Sequence, residues 1–233
     1  MPQYNSRMHA KGLKNYGNTC YISASLQCLL NIPSINNALL NTTNRFRDPV
    51  AQESVNFFKA NSEDQEWALE NLVRMIWKTK RINFARGQQH DSSEFLVYIL
   101  NLITEIFEDE PYRLRMRRQA VCGTDQGHFW SQSIEEDRVI NVTLPQTAIG
   151  YFGKNSVGPN LIDALNTTFE ETELNANCEE CGYDTVVYQY RHVVNRPSVL
   201  ILSLKIFEPV CLLVFLFIYY FKFFFNSDFF ANF

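Results

Sequence analysis

Gly12-Leu13-Lys14-Asn15-Tyr16-Gly17-Asn18-Thr19-Cys20-Tyr21 precedes ISASLQCLLN, in which Ile22, Leu26, Leu29 and Leu30 fall at helical spacing. Asn18 or Thr19 can cap the start of that helix. Cys20 is then expected at a helix N-terminus, where unpaired backbone N–H groups and the helix dipole favour an anion, the form in which a thiol is a nucleophile. Gly12 and Gly17 permit a tight loop whose backbone can approach a substrate closely. Asn15, five residues before the cysteine, can offer an amide donor to a developing oxyanion. Taken alone, such a cysteine also reads as a small buried thiol, so the rest of the chain has to decide between the two.

Outward from this stretch the first half is helical. A short helix fits residues 34–40, and EWALENLVRMIWKTK (66–80) is amphipathic, with Leu69, Leu72, Val73, Ile76 and Trp77 on one side. The segment DSSEFLVYILNLITEIFEDE, from Asp91, predicts a long helix with Phe95, Leu96, Ile99, Leu102, Ile103 and Ile106 inward. The second half changes character. Val139–Leu144 alternates as a strand does, 160–169 reads as a short helix, and 184–194 and 199–207 are rich in β-branched and aromatic residues. Helices first and strands second indicate an α+β fold with segregated lobes.

Two further patterns carry chemistry. Asp91-Ser92-Ser93-Glu94 places two carboxylates at a helix start, where Asp-x-x-Glu serves as an N-terminal cap or holds a cationic ligand. Cys178-Glu179-Glu180-Cys181-Gly182 supplies two thiolates at a spacing that makes half of a tetrahedral zinc site. Upstream, Cys122-Gly123-Thr124-Asp125 leads to Gly127-His128. Cys122, His128, Cys178 and Cys181 could complete the ligand set, or the knuckle is degenerate and binds nothing.

The run GLKNYGNTCYISASLQCLL resembles the Cys box of the ubiquitin-specific proteases. GQQHDSSEFL (87–96) resembles that family's second box, the Cys178/Cys181 pair resembles its zinc-binding fingers, and RPSVLILSLKIF (196–207) is similar to the strand entering its palm, with Ile206 where an arginine is usual. The resemblance runs from about Lys11 to Phe207. It implies a papain-like α+β fold: a helical thumb (about 11–118), β-rich fingers (about 119–190) and a palm only begun (about 191–207). It further implies a cysteine-type deubiquitinase with Cys20 as nucleophile and Asn15 as oxyanion donor. Gln89, Asp91 and Glu94 would lie against the arginine-bearing tail of ubiquitin; no cofactor is required, and a structural zinc is an option. The family takes its catalytic histidine, and the Asp or Asn that orients it, from segments after the palm strand. None of His9, His90, His128 and His192 lies in a matching segment. Hydrolysis by this chain is expected to be impaired, and a ubiquitin-binding fragment without turnover is the alternative.

Bulk properties agree with a globular protein. Formal net charge is −4, from 21 basic and 25 acidic residues, which gives no electrostatic footprint for nucleic acid. The cluster Arg113, Arg115, Arg117 and Arg118 reads as a solvated loop. Residues 1–10 read as a disordered polar lead without an apolar signal-peptide core, so an intracellular location, cytoplasm or nucleus, is expected, with cysteines kept as thiols or metal ligands. The tail 208–233 stands apart. VCLLVFLFIYYFKFFF (210–225) is short for a spanning helix of about 20 residues. A membrane anchor, a packed pair of strands and a segment foreign to the fold are the readings open for it.

Overall fold

A computed structural model describes residues 12–79, 84–124, 128–143, 160–204 and 216–220. The polar lead and most of the hydrophobic tail lie outside these residues. The chain forms two compact units, Met1–Pro111 and Tyr112–Phe233.

The first unit is helical: α1 (Cys20–Leu30), α2 (Pro33–Asn41), α3 (Pro49–Lys59), α4 (Gln65–Lys78) and α5 (Ser92–Leu102). Proline opens both α2 and α3, where its fixed φ and missing N–H cost nothing. Asp48 caps α3, its Oδ1 accepting from the N–H groups of Val50 (2.8 Å) and Ala51 (3.1 Å). The core is built where helical periodicity puts apolar side chains on one face. Ile22, Leu26 and Leu29 of α1 are fully buried, as are Phe95, Leu96 and Ile99 of α5, and these two helices pack together. α5 is shorter than the sequence pattern predicts. After Leu102 the chain tightens into a single 3₁₀ turn at Thr104–Ile106, and the Thr104 hydroxyl donates back to the Leu100 carbonyl (3.0 Å). The apolar periodicity continues because Ile103 still points inward and is fully buried. The helix α3 has no counterpart in the sequence reading.

Among the described residues the second unit holds two sheets and one helix: β1 (Leu114–Cys122), β2 (Phe129–Asp137), β3 (Ile140–Val142), α6 (Leu161–Phe169), β4 (Thr172–Cys178), β5 (Tyr183–Val193), β6 (Val199–Leu204) and β7 (Leu216–Tyr220). The larger sheet is antiparallel in the order β2-β1-β5-β4; the smaller has the order β3-β6-β7, with β3 parallel to β6. Leu114, Ile140, Val142, Ala164, Leu165, Leu200 and Leu202 form its core. One expectation changes here. The arginine cluster is not a loop: Arg115, Arg117 and Arg118 belong to β1, paired with acidic β2. Arg115 Nε reaches Glu136 Oε1 and Arg118 Nη2 reaches Glu135 Oε2, each at 3.1 Å. Cross-strand charge pairing supplies what the missing apolar alternation does not. Within the tail, Leu216–Tyr220 is a strand, antiparallel to β6 with Ile218 opposite Ile201. Among the described residues no helix is long and apolar enough to cross a membrane.

Candidate active site and metal cluster

Cys20 is the first residue of α1, and its side chain is exposed. The loop before it is held in an uncommon shape. Gly17 has φ +92° and Asn18 φ +53°, left-handed backbone that glycine adopts freely and asparagine tolerates. The Asn18 amide spends its Nδ2 on the Gly87 carbonyl (2.7 Å), which ties this loop to the one leading into α5. Gly87 itself has φ +79°. A second tie is buried: Ser25 Oγ lies 2.8 Å from the Ser92 carbonyl and 2.9 Å from that of Tyr21. Lys14 pairs with Glu66 at the start of α4, and the Tyr16 hydroxyl donates to the Glu66 carbonyl (3.2 Å).

Asn15 is oriented by this loop. Its Oδ1 accepts from the N–H of Gly17 (3.0 Å), the N–H of Thr19 (3.1 Å) and the Thr19 hydroxyl (3.0 Å). Two backbone donors on one atom assign that atom as oxygen. Nδ2 is therefore the end that faces away from these donors, and it makes no hydrogen bond among the described residues. Thr19 precedes α1 without capping it by side chain. Its hydroxyl instead accepts from the Tyr16 N–H (2.9 Å) and serves Asn15.

The second box opens α5. Asp91 is its N-cap, Oδ1 accepting from the N–H and the hydroxyl of Ser93 at 2.7 Å each. Glu94 sits exposed in the first turn, and Gln89 is exposed in the preceding loop. His90 packs edge-on against Tyr21, ring centroids 5.2 Å apart, in a cluster with Phe84 and Phe95. Burial, and then the neighbouring Cys20, pushes the Tyr21 hydroxyl up to about 12. Cys28, two turns along α1, is half-buried, and burial pushes its thiol up. No histidine is hydrogen-bonded to Cys20 among the described residues.

In the second unit, strand pairing assembles four ligand-type side chains. β1 and β5 pair with Cys122 opposite Val187, which sets the tip of the β1–β2 hairpin beside the tip of the β4–β5 hairpin. The ligand atoms of Cys122, His128, Cys178 and Cys181 all lie within 4.8 Å of one another. Cys122 Sγ to Cys181 Sγ is 3.8 Å. Tetrahedral zinc with Zn–S of about 2.3 Å requires an S···S edge of about 3.8 Å. His128 Nε2 lies 2.9 Å from Cys178 Sγ and 4.0 Å from Cys181 Sγ, either side of the ~3.5 Å edge expected for a mixed N,S site. Gly182, at φ +74°, donates its N–H to the Cys178 carbonyl (2.7 Å) and closes the knuckle. Gly123 lies so close to β5 that a Cβ there would meet the Tyr188 ring at 2.7 Å. The Thr124 hydroxyl, 3.4 Å from Cys122 Sγ, is the main reason that thiol is held down to about 6, while burial pushes Cys181 up. These residues could hold a metal ion.

The family model for ubiquitin carboxyl-terminal hydrolases matches residues 11–210. This chain belongs to that family. Mouse ubiquitin carboxyl-terminal hydrolase 37 is 26% identical over 249 residues, covering 88% of this chain and 24% of that protein. Human inactive ubiquitin carboxyl-terminal hydrolase 17-like protein 8 is 33% identical over 93 residues, covering 39% of this chain and 17% of that protein. The chain thus spans a quarter or less of these hydrolases. A chain in the SAGA Ubp8/Sgf11/Sus1/Sgf73 DUB module bound to ubiquitin aldehyde superposes with a TM-score of 0.64 at 21% identity, covering 83% of this chain and 46% of that one. The likeness establishes the fold of this hydrolase-family chain, mixed helix and sheet of the papain-like type.

The sequence reading names Cys20, Asn15, Gln89, Asp91, Glu94 and the four metal-type residues, but it overlooks the groups that orient them. From sequence, Asn18 and Thr19 read only as alternative caps of the first helix, and Thr124 carries no assigned role. Asn18 bonds to Gly87, a partner that only folding brings near, whereas Thr19 and Thr124 act on neighbours two to four residues away through a loop shape that residue type alone does not reveal.

Proposed function

We propose that this chain is the nucleophile-bearing portion of a cysteine-type ubiquitinyl hydrolase. The observation that carries the proposal is an exposed thiol on the first residue of α1, behind a loop that turns the Asn15 amide nitrogen outward. Cys20 Sγ would attack the carbonyl carbon of ubiquitin's C-terminal glycine in an isopeptide bond. The tetrahedral oxyanion would be met by Asn15 Nδ2 and by N–H groups of the first helical turn, which lack intrahelical partners. Collapse releases the lysine amine and leaves a thioester, which water hydrolyses. Glu94 and Gln89 would face the arginine-bearing tail of ubiquitin, with Asp91 fixing the helix start they flank.

A free thiol with a pKa of about 8.5 is only a few per cent ionised at pH 7, so turnover needs a base. With no histidine bonded to Cys20 among the described residues, hydrolysis by this chain alone is proposed to be weak. That same observation supports the second reading, ubiquitin binding without turnover. Cys122, His128, Cys178 and Cys181 would hold a structural zinc that fixes the two hairpin tips and takes no part in the chemistry. Free thiols and this ligand set support an intracellular setting, cytoplasm or nucleus.

The test uses the 233-residue chain. A ubiquitin–fluorophore substrate is expected to be hydrolysed near background, while ubiquitin carrying a C-terminal alkyne labels Cys20 slowly and Cys20→Ala not at all. Labelling of Cys28 in preference to Cys20 would overturn the nucleophile assignment. Capture of ubiquitin by affinity without any labelling would favour the binding-only reading.

A further inference from the structure

Thr19 is 1% exposed, and its hydroxyl makes two internal hydrogen bonds of opposite sense. The Tyr16 N–H donates to Thr19 Oγ1, so the hydroxyl hydrogen is free to be given to Asn15 Oδ1. The backbone N–H of Thr19 donates to the same Oδ1. One buried residue thus contributes two of the three donors that fix which end of the Asn15 amide faces outward. An amide turned over would present oxygen to an oxyanion and repel it, so this orientation decides whether Asn15 can help at all.

We infer that Thr19 is a positioning residue for the oxyanion donor, holding the Asn15 amide through its hydroxyl, in addition to preceding Cys20 in the chain. The inference rests on the reading of Cys20 and Asn15 proposed above. Thr19→Val keeps the branched shape and the backbone N–H and removes only the hydroxyl. It leaves the Tyr16 N–H without its acceptor and Asn15 with two donors.

Two probes separate positioning from folding. With ubiquitin C-terminal aldehyde, Cys20 Sγ adds to the aldehyde carbon, the carbonyl π pair moves to oxygen, and the thiol proton ends on that oxygen. The hemithioacetal oxygen is what Asn15 would stabilise. With the C-terminal alkyne, Sγ adds to the internal alkyne carbon and the proton goes to the terminal carbon, so no oxyanion forms. Thr19→Val is expected to weaken aldehyde capture about tenfold, the effect of one hydrogen bond lost with a partner left unpaired, while alkyne labelling stays within about twofold of wild type. Thr19→Ser should restore aldehyde capture, and Thr19→Val should add nothing in an Asn15→Ala background. Equal losses with both probes, no loss with either, or failure of serine to rescue would overturn the inference alone. A wild-type chain captured by neither probe would overturn it together with the reading of Cys20.

Discussion

Tyr21 shows how a single side chain can be fixed by its surroundings at some cost. Its ring packs against Phe84, His90 and Phe95, and its hydroxyl is buried with no hydrogen-bond partner among the described residues. A buried polar group left unpaired costs about 1–3 kcal/mol. Tyr21→Phe is therefore expected to stabilise the chain by about 1 kcal/mol near neutral pH, read from urea midpoints. The pH dependence follows from the direction of the shift. The hydroxyl ionises near 10 in the unfolded chain and about 12 in the folded one. Its cost is constant below pH 10 and grows as pH rises through that window, because the unfolded state releases the proton first and wild-type stability falls. Tyr98 is shifted in the same direction by burial and then by Asp48, so some alkaline loss will remain in the variant. The midpoint gap between Tyr21→Phe and wild type should widen between about pH 8 and about pH 11; a constant gap would show that the hydroxyl is solvated.

At the scale of an element, α5 separates two jobs that one motif could have shared. Asp91 spends Oδ1 on the Ser93 N–H and hydroxyl, whereas Glu94 projects from the first turn without a hydrogen bond among the described residues. Asp91→Ala should cost about 1 kcal/mol of stability, as cap removals do. Glu94→Gln should leave the melting temperature within a degree or so, since isolated surface changes stay within about 0.5 kcal/mol. The proposed contact with an arginine-bearing tail predicts that Glu94→Gln nonetheless weakens ubiquitin binding several-fold, because a charge-assisted bond becomes a neutral one. Calorimetric unfolding and ubiquitin titration on the two variants give the comparison. Unchanged ubiquitin affinity in Glu94→Gln would remove that residue from the proposed contact.

For the whole molecule, the two compact units have different sources of stability. The helical unit buries aliphatic and aromatic side chains from five helices. The β-rich unit has its aliphatic cluster near Leu114, Ile140, Leu165 and Leu202, while the far tips of the four-stranded sheet meet at Cys122, His128, Cys178 and Cys181. Exposed Phe129, Ile134, Leu174 and Tyr183 mark strands with little core of their own. A bound ion there would contribute folding energy directly. The protein purified without chelator is expected to carry about one zinc per chain. Its removal should speed hydrogen exchange in β1, β2, β4 and β5 and leave α1 and α5 unchanged. Cys178→Ser should mimic removal. Exchange rates insensitive to chelation would argue for a knuckle that holds no metal.

The amino-acid sequence determined, without further help, that the first half is helical and that Cys20 begins a helix. Those features depend on near neighbours: apolar residues three and four apart, and a turn of glycine and asparagine before them. It also carried enough of the family's boxes, in order, to indicate the fold. The tertiary structure alone decided that the arginines of β1 lie in a strand and that four ligand-type side chains meet. Each of these depends on what lies opposite. The charges of β1 make sense only beside β2, and Cys122 reaches Cys181 only through a strand register set between residues more than fifty positions apart. Local pattern cannot encode such a register, because it is selected by the packing of both strands at once.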